Sequence, residues 1–155
     1  MIAEMAAFVK DKEMQLFDFL LDVYDQFGLY REKLVSFTKK GKSGVEEIKT
    51  MMRELRANPP ETIVGEKVTK VIDYLEGVEK DITTGKQKPI DFPESNVLQF
   101  FTEKGTKVSA RPSGTEPKIK FYFSVNAPMD SIDDFLVEWK KLDQKVDAIV
   151  QDMRL

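Results

Sequence analysis

The stretch Ala110-Arg111-Pro112-Ser113-Gly114-Thr115-Glu116-Pro117-Lys118 gathers the groups needed to hold a phosphate. Arginine presents a planar fork of donors that grips two phosphate oxygens at once. Ser113 and Thr115 each carry a hydroxyl that can donate. Gly114 has no side chain, so backbone N–H groups can turn toward an anion. Pro112 and Pro117 fix two φ angles, so gripping an anion costs less loop entropy. The Ser-Gly-Thr-Glu-Pro string is also ordinary turn chemistry. The flanking cations Arg111 and Lys118 favour the anion reading over the bare turn. No Gly-x-x-x-x-Gly-Lys-Ser/Thr spacing occurs, so the stretch is not a Walker loop.

Two strands must position this loop. Before it, residues 107–111 place Val108 and Ala110 on one face and Lys107, Ser109 and Arg111 on the other. After it, residues 118–125 alternate without a fault. Ile119, Phe121, Phe123 and Val125 share one face, and Lys118, Lys120, Tyr122 and Ser124 the other. Lys118 and Lys120 therefore stand where both can add positive potential, although Lys120 also fits as a solvent-facing lysine. Glu116 is a misfit beside an anion and is expected to turn away and pair with a nearby lysine.

The rest of the chain supplies a scaffold. Residues 2–28 read as helix, broken by Lys10-Asp11-Lys12-Glu13, with Gly28 as its C-cap. The helix opens without an N-cap residue or acidic lead-in, which is expected of a chain cut inside or just before a helix. A strand over 29–39 is followed by a turn at Lys39-Lys40-Gly41-Lys42, and Ser43-x-x-Glu46 has the form of a capping box opening a second helix. Further strands are expected over 66–75 and 97–102. The polar segment 77–96 carries no assigned chemistry, with Thr84-Gly85 as the tip of a small hairpin. Gly105 is expected in the left-handed region between 97–102 and 107–111. Asp130, Asp133 and Asp134 suit the start of a last helix beginning near Ser131, rather than a metal loop. That helix carries Ile132, Phe135, Leu136, Trp139, Leu142, Val146, Ile149 and Met153 as one apolar stripe, with the tryptophan in the core. The fold class is α+β: a two-layer domain with an antiparallel sheet of four or five strands, covered on one face by two helices and preceded by one or two helices.

Composition sets outer limits. The chain has 155 residues, 41% hydrophobic and 33% charged, enough for one domain with a real core. A net charge of −3 argues against nucleic acid as a partner. No run reaches membrane-helix length and no signal-peptide pattern opens the chain, so a cytoplasmic protein is the default. Neither cysteine nor histidine is present, which excludes disulfides, cysteine or His-Glu-x-x-His metal sites and Ser-His-Asp catalysis.

The eight residues Arg111 to Lys118, followed by Ile119-Lys120-Phe121-Tyr122, closely resemble the phosphate-binding loop in the last domain of the α-D-phosphohexomutases, the phosphoglucomutase/phosphomannomutase family. The word is highly specific, and the resemblance extends more weakly along most of the chain. It implies a TATA-binding-protein-like last domain over 29–155, with 1–28 as trailing helices of a third domain. It implies that Arg111, Ser113, Gly114 and Thr115 hold substrate phosphate, with Lys118 or Lys120 adding charge. It further implies a parent enzyme that interconverts hexose 1-phosphate and 6-phosphate through a bisphosphate, using a phosphoserine and a magnesium ion held by other domains. Neither the phosphoserine loop, the aspartate-rich metal loop nor the sugar-reading loop is present in this chain. This chain alone is expected to bind a hexose phosphate or bisphosphate, with no cofactor of its own, and to be inactive. The alternative is a free-standing anion- or phospholigand-binding module.

Overall fold

The computed structural model describes residues 1–39, 41–129 and 131–155. They form two compact units, Met1–Arg31 with Asn126–Gln144, and Glu32–Val125 with Lys145–Leu155. The class is α+β, as expected from the alternation of helical and period-two segments.

The first unit contains α1 (Ile2–Asp11) and α2 (Leu16–Phe27). The polar break at 10–13 does separate them. Gln15 and Asp18 form a capping box at the start of α2, which supplies partners for otherwise unpaired N–H groups. Gly28 closes the helix at φ 88°, where its N–H donates to the Tyr24 carbonyl at 2.8 Å. A Cβ there would lie 3.1 Å from the Ala127 carbonyl oxygen, so glycine is required twice over. Aromatic packing holds this unit together. Phe135 meets Phe17 edge-on and stacks on Tyr24, and the Arg31 guanidinium lies 4.6 Å above the Trp139 ring. Trp139 is half-buried, consistent with packing rather than an open platform.

The second unit holds most of an antiparallel sheet. The strands are β1 (Leu29–Thr38), β2 (Thr62–Ile63), β3 (Glu66–Asp73), β4 (Val78–Asp81), β5 (Gln87–Pro89), β6 (Leu98–Thr102), β7 (Lys107–Pro112) and β8 (Lys118–Ala127). The order is β1-β8-β7-β6-β3-β4-β5, with β2 paired to β3. Eight strands replace the expected four or five. The additions are short: β2 has two residues, and β4 and β5 form a hairpin of four and three. That hairpin lies at the sheet edge, where Pro89 costs no ladder bond and no apolar alternation marks the strands. Its turn is fixed by Asp81, whose Oδ1 accepts from the Thr83 N–H, the Thr83 hydroxyl and the Thr84 N–H. Those hydrogen bonds, the Thr83 hydroxyl first, hold the Asp81 carboxyl below its ordinary range. Gly105 takes the left-handed conformation at φ 84°, as expected for the β6–β7 connection.

The alternation in β8 is realised as a core. Ile119, Phe121, Phe123 and Val125 are fully buried, together with Val108, Ala110, Leu98, Phe100 and Val68 from neighbouring strands. Ser109 and Ser124 are buried too, although they stand on the polar face. Their short side chains lie opposite Tyr122 and Lys107 respectively, whose long side chains can cover them. Helix α3 (Gly41–Ala57) buries Ile48 and Met52, and the last part of α4 (Phe135–Asp152) buries Val146 and Ile149. Buried ion pairs tie both helices to the sheet. Arg56 meets Asp73 at 2.9 Å, and Lys145 meets Glu66 at 2.6 Å. Burial alone would push the Glu66 carboxyl up, but Lys145 and the Thr102 hydroxyl hold it below its ordinary range.

Two local expectations are corrected. Ser43 is not a cap: α3 already starts at Gly41, so Gly41 and Lys42 of the expected turn lie in helix and Ser43 in its first turn. Glu46 does not serve a capping box, because it pairs with Lys49 at 2.7 Å. Lys40 and Asp130 lie outside the described residues. Ser131 caps a 3-10 turn over Ile132–Asp134, its hydroxyl accepting from the Asp133 N–H. The last stripe is also narrower than expected. Ile132 and Leu136 are exposed, since Ile132 precedes the α-helix and Leu136 adjoins the inward-facing Phe135.

Candidate functional site

The candidate loop joins β7 to β8 at the end of the best-packed part of the sheet. The register pairs Arg111 with Lys120, Pro112 with Ile119 and Ser109 with Tyr122. The buried Ile119 and Phe121 alternate with Lys118, Lys120 and Tyr122, so the same period that builds the core delivers the cations to the opposite face. The loop is closed by short backbone bonds. Ser113 N–H donates to the Lys118 carbonyl and Lys118 N–H to the Glu116 carbonyl, both at 2.7 Å. Lys39 N–H donates to the Pro117 carbonyl at 2.9 Å, which ties the loop to the end of β1.

Arg111, Pro112, Ser113, Gly114, Glu116, Lys118, Lys120 and Tyr122 line one open concavity of about 240 Å³. Its lining brings together three cations and one carboxylate. Among the described residues, none of Arg111, Lys118 and Lys120 is ion-paired. Their charge is therefore not spent on an internal acid. Ser113 Oγ accepts the Glu116 N–H at 3.4 Å, which leaves the hydroxyl proton able to donate outward. An oxyanion entering here meets a guanidinium, two ammonium groups and a hydroxyl donor, which is the chemistry of phosphate capture.

The expected site residues are thus brought together with one exception. Thr115 is exposed and is not part of the lining. Gly114 lies in the lining, but it does not use the left-handed backbone that glycine permits. A Cβ built on it meets nothing within 4 Å, so its contribution is open space beside the backbone. Glu116 departs from expectation. It does not turn away to a lysine: it lines the concavity and forms no ion pair among the described residues. The two bonds at Ser113 and Lys118 bind the turn tightly and fix where Glu116 projects. Tyr122 also joins the lining. Its signal was present in the alternation of β8, which puts it on the face of Lys118 and Lys120.

A second concavity of about 160 Å³ lies between the loop and α3, lined by Val45, Ile48, Lys49 and Met52 with Asn96, Pro112, Ser113, Gly114, Glu116 and Pro117. Asn96 is held there by Arg56, which donates to its Oδ1 at 2.6 Å while also pairing with the buried Asp73.

No protein-family model matches the chain. Curated proteins do. A protein named phosphoglucomutase from Staphylococcus saprophyticus is 34% identical over 119 residues, covering 77% of this chain and 21% of that protein. One of the same name from Staphylococcus haemolyticus is 36% identical over 128 residues, 81% of this chain and 23% of its own length. Another from Staphylococcus aureus is 34% identical over 150 residues, 97% of this chain and 25% of that one. The chain spans about a quarter of the length of the curated relatives it matches. Among solved structures, the Paramecium phosphoglucomutase parafusin, in an open form, shares 16% identity at a TM-score of 0.48 over 92% of this chain, a likeness too loose to bear on the fold.

Proposed function

The chain belongs with the phosphoglucomutases, of the α-D-phosphohexomutase family, and on that premise we propose that it is the part of such an enzyme that grips substrate phosphate. The observation that carries this reading is the concavity in which Arg111, Lys118 and Lys120, with no ion pair among the described residues, are gathered with the Ser113 hydroxyl. The ligand is the phosphate of a hexose monophosphate, or of the hexose bisphosphate that links the 1- and 6-phosphates. Glucose and mannose phosphates both fit a site that reads phosphate first.

The role of this chain is positional. Arg111 holds two phosphate oxygens, Ser113 donates to a third, and the lysines neutralise the remaining charge. Held in this way, the sugar presents its far end to groups supplied elsewhere in the enzyme. Phosphoryl transfer itself needs a nucleophile and the magnesium ion of the parent enzyme. No group of three or more acidic residues able to hold a metal forms among the described residues. The reading places the parent enzyme in the cytoplasm. No helix among the described residues is long and apolar enough to cross a membrane.

Calorimetric titration with glucose 6-phosphate, paired with an assay for conversion of glucose 1-phosphate in magnesium buffer, tests both halves of the reading. Saturable binding without turnover is expected. Turnover by this chain alone would refute the positional role, and absence of binding would refute the grip.

A further inference from the structure

The phosphate site contains a group that a bare anion site would not have. Glu116 lines the concavity beside three cations, yet pairs with none of them. A carboxylate there repels any anion that enters, weakening capture of phosphate as such. A carboxylate also accepts hydrogen bonds only, so the partner it suits is a donor on the ligand: a hydroxyl next to the phosphate ester. Tyr122 shares the lining, half-buried and opposite Ser109 across the sheet. Its ring offers an apolar surface with a polar tip, suited to a carbon skeleton bearing hydroxyls.

We propose that Glu116 and Tyr122 make this pocket selective for polyhydroxylated phosphate monoesters over inorganic phosphate and pyrophosphate. The inference rests on the phosphate-grip reading above and assigns its selectivity to two residues. Glu116 penalises every anion and compensates only the one that brings a hydroxyl. Tyr122 contributes only to a ligand with an organic part. Pyrophosphate, with more charge and no hydroxyl-bearing carbon, suffers most. The two effects together turn a general anion site into one that prefers a sugar phosphate to free phosphate.

The test is binding of glucose 6-phosphate, inorganic phosphate and pyrophosphate to the wild-type chain and to Glu116→Ala, Glu116→Gln, Tyr122→Leu and Arg111→Ala. Glu116→Ala is expected to bind inorganic phosphate about threefold to tenfold more tightly, because a repelling charge is gone. Its preference for glucose 6-phosphate over phosphate should fall by a similar factor. Glu116→Gln keeps an acceptor oxygen, so phosphate should tighten while more of the sugar preference survives. Tyr122→Leu should weaken glucose 6-phosphate and leave phosphate unchanged. An unchanged preference in Glu116→Ala, with Arg111→Ala still weakening all three ligands, overturns the selectivity and spares the grip. If Arg111→Ala changes none of the three, the grip itself falls, and the selectivity with it.

Discussion

Two of the concavities among the described residues are opposite in character. The larger, about 520 Å³, lies between α1 and α2 and is lined only by Ile2, Met5, Leu16, Phe17, Phe19, Leu20 and Val23. The smaller, about 240 Å³, is the cation-lined pocket at the β7–β8 loop. Judged by its apolar lining alone, the helical groove would be the binding site. Ranked by chemistry it holds nothing that can orient a ligand, because it has no polar group. Its exposed Ile2, Met5, Leu16 and Phe17 instead resemble a face that would be buried against more protein. The lesson is that apolar area marks where surface is unsatisfied, whereas unpaired charge held on rigid strands marks where a small anion can be recognised.

The strands are what make the second region precise, and removing their support should have the largest effect. Phe121 is fully buried beneath the pocket, against Phe37 and Phe123. Phe121→Ala is expected to cost about 3–5 kcal/mol in denaturant unfolding. A cost near zero would mean that the loop is not anchored by the core at all. Next in size is Arg111→Ala, which should weaken phosphate-ester binding about 10- to 100-fold, the scale of a lost charge-assisted fork, with the melting temperature unchanged.

Acid should loosen the same unit from its other side. The Glu66 carboxyl is held below its ordinary range, so the native state binds its proton less readily than the unfolded chain does. Its stabilising contribution is therefore complete above the ordinary glutamate value, about pH 4.3, and is lost as pH falls through the lower folded value. Glu66→Gln should remove about 1–3 kcal/mol at pH 7 and flatten that acid limb in pH-dependent unfolding.

The helical groove should respond to none of this. Phe17→Lys with Leu20→Lys is expected to suppress concentration-dependent association in light scattering and to leave phosphate-ester affinity within about twofold, since charges on an apolar face oppose self-burial. A monomeric wild-type chain at high concentration would remove that contrast. The smallest expected effect is Gly114→Ala. Its added methyl meets no neighbour, so stability should change by less than about 0.5 kcal/mol while binding weakens through lost space at the pocket.

Much of the molecule was legible in the sequence because one period did two jobs. The unbroken alternation of 118–125 announced both the buried Phe121 and the outward Lys118 and Lys120. The loop word identified Arg111 and Ser113, and the helix break at 10–13 separated α1 from α2. What escaped was set by local geometry rather than by pattern. The β4–β5 hairpin was marked only at its tip, Thr84-Gly85, because its short strands show no apolar alternation; its turn is held by hydrogen bonds to Asp81. Glu116 was expected to follow its charge to a lysine, but the bonds that close the turn place it at the pocket instead. Thr115 belongs to the loop word and yet is exposed outside the lining.

An amide-resolved NMR titration of the labelled chain with glucose 1,6-bisphosphate, beside Arg111→Ala, tests the central claim most directly. Saturable shifts at the Ser113 and Gly114 amides, lost in Arg111→Ala while the rest of the spectrum keeps its dispersion, are the expected result. Spectra unmoved by ligand at roughly millimolar concentration, the range of weak binding, would contradict the phosphate grip.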